Sequence, residues 1–147
     1  MKPWLVLVWI FLLVLVTPLF GTKIIEWQHT LAAAQAQADL GTLSTAELSE
    51  FAFNGAYVGS IGELTESDSG EKPLYVPTKG MMHALATNSE GTEYVAVARS
   101  SDGTYYATIS TSEQIGSATT LEGALTAAGA TSEWATENGI TLPTKVS

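Results

Sequence analysis

Residues 39 to 57 read DLGTLSTAELSEFAFNGAY, and this stretch decides the architecture of the chain. Leu40, Leu43, Glu47/Leu48 and Phe51 recur at steps of three and four, which lays one apolar stripe along a helix. Asn54-Gly55 then stops it, because glycine enters the left-handed conformation that ends a helix without a Cβ clash. Working back, Leu31 to Ala38 reads LAAAQAQA, all strong helix formers, so the helix extends toward the N-terminus. Gly41 is its weak link, at about 1 kcal/mol relative to alanine.

Upstream, Trp4 to Phe20 is apolar at every position except Thr17 and Pro18. Counted on to Trp27, the stretch would be about 36 Å long as a helix, enough to cross a bilayer. Residues 1–27 are therefore expected to form a transmembrane anchor. Trp4, Trp9, Pro18 and Phe20 fall within it, Trp4 and Trp27 lie near opposite interfaces, and Lys23 reaches for the headgroups. A kink is expected at Pro18, where a backbone donor is missing. The rival reading is a cleaved secretory signal, since Met1-Lys2 before an apolar run also fits one. The first small-x-small site, Ala32-x-Ala34, lies too far downstream for that. Residues 28–55 would continue the helix as an amphipathic segment, and 56–147 would form an acidic globular domain.

Charge is divided just as unevenly. The chain of 147 residues carries 15 acidic and 6 basic residues, a net charge of -9. Every acidic residue lies from Glu26 onward, where the only cations are Lys72, Lys79, Arg99 and Lys145. Such a surface repels phosphate backbones, which argues against nucleic-acid binding. It also repels anionic lipid, so the domain should stand off the bilayer. The expected arrangement is single-pass, with the N-terminus cytoplasmic and the domain on the periplasmic or extracellular side. With no cysteine, disulfides, thiolate metal sites and a cysteine nucleophile are all excluded.

Beyond Gly55, residues 56 to 80 read as a loop with short extended pieces such as Leu74-Tyr75-Val76. The period then changes to two. Met82 to Thr87, Glu93 to Arg99 and Thr104 to Ser110 are three strands separated by Asn88-Ser-Glu-Gly91 and Ser100-Ser-Asp-Gly103 turns. Tyr94, Tyr105 and Tyr106 alternate across this sheet, one face expected in the core and the other toward solvent or a partner. Leu121 to Ala128 and Ser132 to Glu137 read as two short helices. The fold class is α+β: a long N-terminal helix, membrane-spanning in its first half, packed on a small antiparallel sheet of three to four strands.

This plan resembles that of the type IV pilins. Asp39-Leu40, Thr45-Ala46-Glu47, Phe51 and Asn54-Gly55-Ala56-Tyr57 are similar to the stretch D-L-x(4)-T-A-E-x(3)-F-x(2)-N-G-x-Y of many bacterial pilins. Tyr94 to Tyr106 is similar to the hairpin of pilin globular domains. The resemblance implies a structural, non-enzymatic subunit. It does not extend to the basic leader or to the glutamate that pilins carry in the apolar segment, since no carboxylate lies between Pro3 and Lys23.

Candidate chemistry is sparse. Glu26 and His29 could share a helix face as a ligand pair, but convergent ligands beyond them are lacking, and interfacial polarity accounts for both. His83 stands alone in a strand. Gly59-Ser60-Ile61-Gly62 misses the nucleophile-elbow spacing by one residue. Glu63, Glu66, Asp68 and Glu71 lack the alternation of a calcium loop, and no glycine motif cradles phosphate. The expectation is no catalytic residue, no metal and no cofactor. The partners expected are the lipid bilayer and other membrane protein subunits, met through helix–helix packing on a face marked by Ala34 and Ala38. The competing readings are a pilus or pseudopilus subunit proper and a secreted soluble binding module.

Overall fold

The alternation of small and large apolar residues along the strands explains how both faces of one sheet come to be covered. The computed structural model describes the backbone of residues 3–66 and 72–147, with side chains from residue 25 onward in those ranges. Helix α1 (Pro3–Asn54) is followed by a short α2 (Ile61–Thr65). Strands β1 (Met82–Thr87), β2 (Tyr94–Arg99), β3 (Tyr105–Ile109) and β4 (Ser112–Ala118) come next, then α3 (Leu121–Ala128) and α4 (Ser132–Asn138). The chain divides into two compact units, Met1–Ala32 and Ala33–Ser147.

The first unit is the leading part of α1. Among its described side chains Ile25, Trp27 and Leu31 are exposed, Trp27 at 67%. The Thr30 hydroxyl donates to the Glu26 carbonyl one turn back, at 2.9 Å. Among the described residues, no helix is long and apolar enough to cross a membrane. The span expected from Trp4, Trp9, Pro18, Phe20 and Lys23 falls on side chains outside the described ones.

In the second unit, the remainder of α1 ends at Asn54. Gly55 takes φ +77° and donates its N–H to the Phe51 carbonyl at 2.8 Å, the expected stop. The sheet is an antiparallel meander in the order β1-β2-β3-β4. Asn88 Oδ1 accepts from the backbone N–H groups of Thr92 and Glu93, which fixes the first hairpin. Along β2, Tyr94, Ala96 and Ala98 face α1, whose buried Ala36, Leu40, Leu43 and Ala46 pack there with Leu64, Tyr75 and Tyr106. The intervening Val95 and Val97 face the other way, onto Ala124, Leu125 and Ala128 of α3. Burying leucines such as Leu40 and Leu43 stabilises by roughly 1.5–3 kcal/mol each.

Three sequence expectations need correction. The second sheet face is neither solvent nor a partner surface, because α3 and the Ala130–Ile140 region close it as a second core. The stripe on α1 buries Glu47 in place of Leu48, which is 56% exposed, and Phe51 is only partly covered. The sheet has four strands, within the expected three to four, though only three were placed in the sequence. The polar sequence of β4, SEQIGSA, lacks alternation, because one edge strand under a helix has few side chains to bury. Residues 56–80 also hold the helical turn α2.

Helices α3 and α4 form where threonine caps their starts. The Thr120 hydroxyl accepts from the Gly123 N–H and that of Thr131 from the Trp134 N–H, both at 3.2 Å. Helix α3 lies so close over β4 that a Cβ at Gly116 would collide with the backbone of Ala124, Ala127 and Ala128. The side-chain-free position is therefore what lets the helix seal the second core. Gly116→Ala should cost at least about 1–3 kcal/mol. Gly41→Ala, where a Cβ meets nothing within 4 Å, should be neutral or stabilising. Thermal melts of the two variants check this, and equal melting temperatures would show that α3 does not rest on Gly116.

Candidate functional site

The sequence places only two carboxylates on the buried stripe of α1, Asp39 and Glu47, and each meets a different environment. Asp39 is 4% exposed and sits two turns before Glu47. Its Oδ2 accepts from the Tyr75 hydroxyl at 2.6 Å and from His83 Nε2. Its Oδ1 accepts from the Thr78 hydroxyl at 2.6 Å and the Thr78 N–H at 3.0 Å. Tyr75 Oη and His83 Nε2 are 3.0 Å apart, with the two rings edge to face. Three segments distant in sequence thus converge on one carboxylate. Burial by itself would raise its pKa, but the hydrogen bonds from Thr78, Tyr75 and His83 outweigh that and hold it below the usual value. The Tyr75 hydroxyl moves the other way: burial, reinforced by the bond to Asp39, pushes it up.

Glu47 is fully buried, and has a single described donor. Its Oε2 accepts from the Val58 N–H at 3.0 Å. Its Oε1 is buried with no hydrogen-bond partner among the described residues. Burial, aided by the negative charges of Glu50 and Glu63, pushes its carboxyl from 4.5 to about 7. A group that contributes an unpaired buried oxygen is an exception among buried polar groups.

His83 stands alone in the sequence because its hydrogen-bonding partner, Asp39, is 44 positions away. Only the tertiary fold brings them together. His83 also lines a surface groove of about 660 Å³ with Ser60, Met81, Leu85 and Lys145. Ser60 is the N-cap of α2, and among the described residues it makes no hydrogen bond to His83. Glu26 and His29 are both exposed, as are Glu63 and Glu66, whereas Asp68 and Glu71 lie outside the described residues. Among the described residues, no group of three or more acidic or histidine side chains could hold a metal ion. Ala34 and Ala38 both lie on the exposed side of α1.

The Asp39 network has its donors and acceptors matched to one another, so its chemical role is to tie α1, residues 75–78 and β1 together. Its pH dependence follows from sign. Because Asp39 titrates below its unfolded value in the folded chain, its contribution is complete above that unfolded value. It is lost as pH falls through the folded one. Tyr75→Phe removes one of the bonds that favour the carboxylate, so it should cost about 1.5–3 kcal/mol at neutral pH. It should also move the onset of acid destabilisation to higher pH. Melting curves across the acid range check both, and an unshifted acid limb would show that Tyr75 does not support the charge.

Comparison with known proteins returns no match: none to a family model, none to a curated protein and none to a solved structure.

Proposed function

We propose that this chain is a non-catalytic, pilin-like, single-pass membrane protein that serves as a structural or accessory subunit of a membrane-associated assembly. The apolar run from Trp4 to Phe20 anchors it, with the N-terminus cytoplasmic and residues 33–147 on the periplasmic or extracellular side. Its partners are the bilayer and other membrane subunits that pack against α1, and it uses no cofactor.

The observation that carries this reading is the free side of α1. Ala34, Ala38, Gly41, Thr45, Leu48 and Ala52 are all exposed, and they recur at alternating steps of four and three. That is the interval of a helix-packing seam. The hydroxyls of Thr42, Thr45 and Ser49 donate to carbonyls one turn back, at 2.9–3.0 Å. Their polar atoms are thereby satisfied within the helix, so the surface asks little of water. Small side chains here would let a second helix approach to about 8–10 Å. The same interval continues in the sequence to Leu31 and Trp27, both exposed.

Two experiments test the reading. Carbonate or high-salt washing should leave the full chain in the membrane pellet, and deletion of residues 3 to 20 should release it. Salt screens charge contacts but does not weaken apolar insertion. Recovery of the intact chain in the wash would overturn the anchor, whereas recovery of a chain that has lost its apolar head would favour the secreted module. Separately, Ala38→Arg should abolish co-purification of partner subunits while Ala38→Ser preserves it, with melting of the domain unchanged in both. Wild-type co-purification of the arginine variant would move the contact away from this seam. Release of the chain in filaments by shearing cells would favour the pilus subunit proper.

A further inference from the structure

Residue 47 sits where three pieces of the second unit meet. Its Oε2 is joined to the Val58 N–H at 3.0 Å. The neighbouring Tyr57 donates its N–H to the Gly91 carbonyl at 2.7 Å, and its ring packs on Phe51 and Tyr94 at 4.7 and 4.8 Å. Three residues after Val58 begins α2, whose Leu64 enters the same core. The segment after the helix stop is thus clipped to α1 by a carboxylate that has one donor and one empty oxygen.

The Val58 bond by itself favours the ionised carboxylate, but burial outweighs it, so the clipped site is held better with a proton than without one. Neutral, the side chain is a tolerable buried group that still accepts from Val58. Ionised, it is a buried charge, and no cation is among the groups that set its titration. The ionisable groups facing it are Glu50 on α1, Glu63 on α2, Tyr57 on the clipped segment and Tyr94 on β2. The carboxylates repel its charge, and the tyrosine hydroxyls carry none near neutrality. We propose that Glu47 is a proton-operated latch: neutral, it holds residues 56–58 and helix α2 against α1, and ionised, it lets that segment open while the sheet and α3 stay closed.

The sign is set by the direction of the shift. The folded chain holds its proton up to about pH 7, whereas an opened Glu47 would release it near 4.5. Opening therefore becomes easier as pH rises from the lower value to the higher, and levels off above it. The separation sets a ceiling of roughly 300-fold on the change in opening.

The test is amide hydrogen exchange of the full chain in lipid nanodiscs, corrected for the intrinsic pH dependence of exchange. Between about pH 6 and about pH 8.5, opening at Tyr57, Val58 and the α2 amides should rise about tenfold, with the α3 amides unchanged. Glu47→Gln should abolish the rise, because the amide stays neutral and can still accept from Val58. Glu63→Gln, at an exposed position, should lower the midpoint by removing a like charge. A flat profile at these amides would overturn the latch. So would an equal rise throughout residues 33–147, which would indicate global destabilisation, or a midpoint indifferent to Glu63→Gln. Should the Glu47 variant fail to fold, the wild-type profile and the Glu63 variant decide the matter.

Discussion

Asp39 is the point on which the second unit hangs. A carboxylate removed from water needs several donors, and a helix cannot supply them to a mid-helix side chain, since its own N–H groups are already in use. The donors must come from elsewhere in the chain. Here they come from Tyr75 and Thr78 in the connection before the sheet and from His83 on the first strand. Meeting that one demand sets where the connection runs after α2 and ties β1 to the helix. It also gives the helix a fixed rotation, because only one register places Asp39 over Tyr75 while Leu40 and Leu43 enter the core. Apolar packing alone would define this less sharply, since the alanines beside it tolerate sliding.

That tolerance is widespread in the fold. The strand positions facing α1 include Ala96 and Ala98, and the helix positions facing the sheet include Ala36 and Ala46. Small residues on both sides bring the layers close and leave little area per contact, so stability depends on fit. The same logic reaches its limit at Gly116, where the backbone of α3 occupies the space of a side chain. Two cores flank one four-stranded sheet, and each is modest. Together they enclose β2, whose residues from Tyr94 to Ala98 are buried on both faces.

Much of this was legible in the sequence wherever a local rule governs. The helix stop at Asn54-Gly55, the three strands of alternating period and the two short C-terminal helices all follow from signals within a few residues. What was hidden depends on contacts between distant residues. β4 is polar because α3 covers it through glycine and backbone, which leaves no periodic pattern to read. Glu47 and Leu48 stand about 100° apart on the helix, and which of them is buried depends on where the sheet lies against it. His83 looked solitary because a ligand-spacing argument searches nearby residues, and its partner lies on another element. Side chains before residue 25 lie outside the described ones, so the apolar head is read from sequence alone.

The two carboxylates on the buried stripe show how one helix can carry opposite electrostatics. Asp39 and Glu47 are both nearly or fully buried, so desolvation pushes both upward, and their difference lies in the donors around them. Asp39 has a phenol, an imidazole, a hydroxyl and an amide directed at it, and its charge becomes the favoured form. Glu47 has one amide and two acidic neighbours, and its neutral form is favoured instead. The consequences for stability have opposite signs: acid undermines the first site and alkali the second. The second unit is then best held together between them, where Asp39 keeps its charge and Glu47 keeps its proton. Both lie on the helix whose opposite, exposed side carries Ala34 and Ala38.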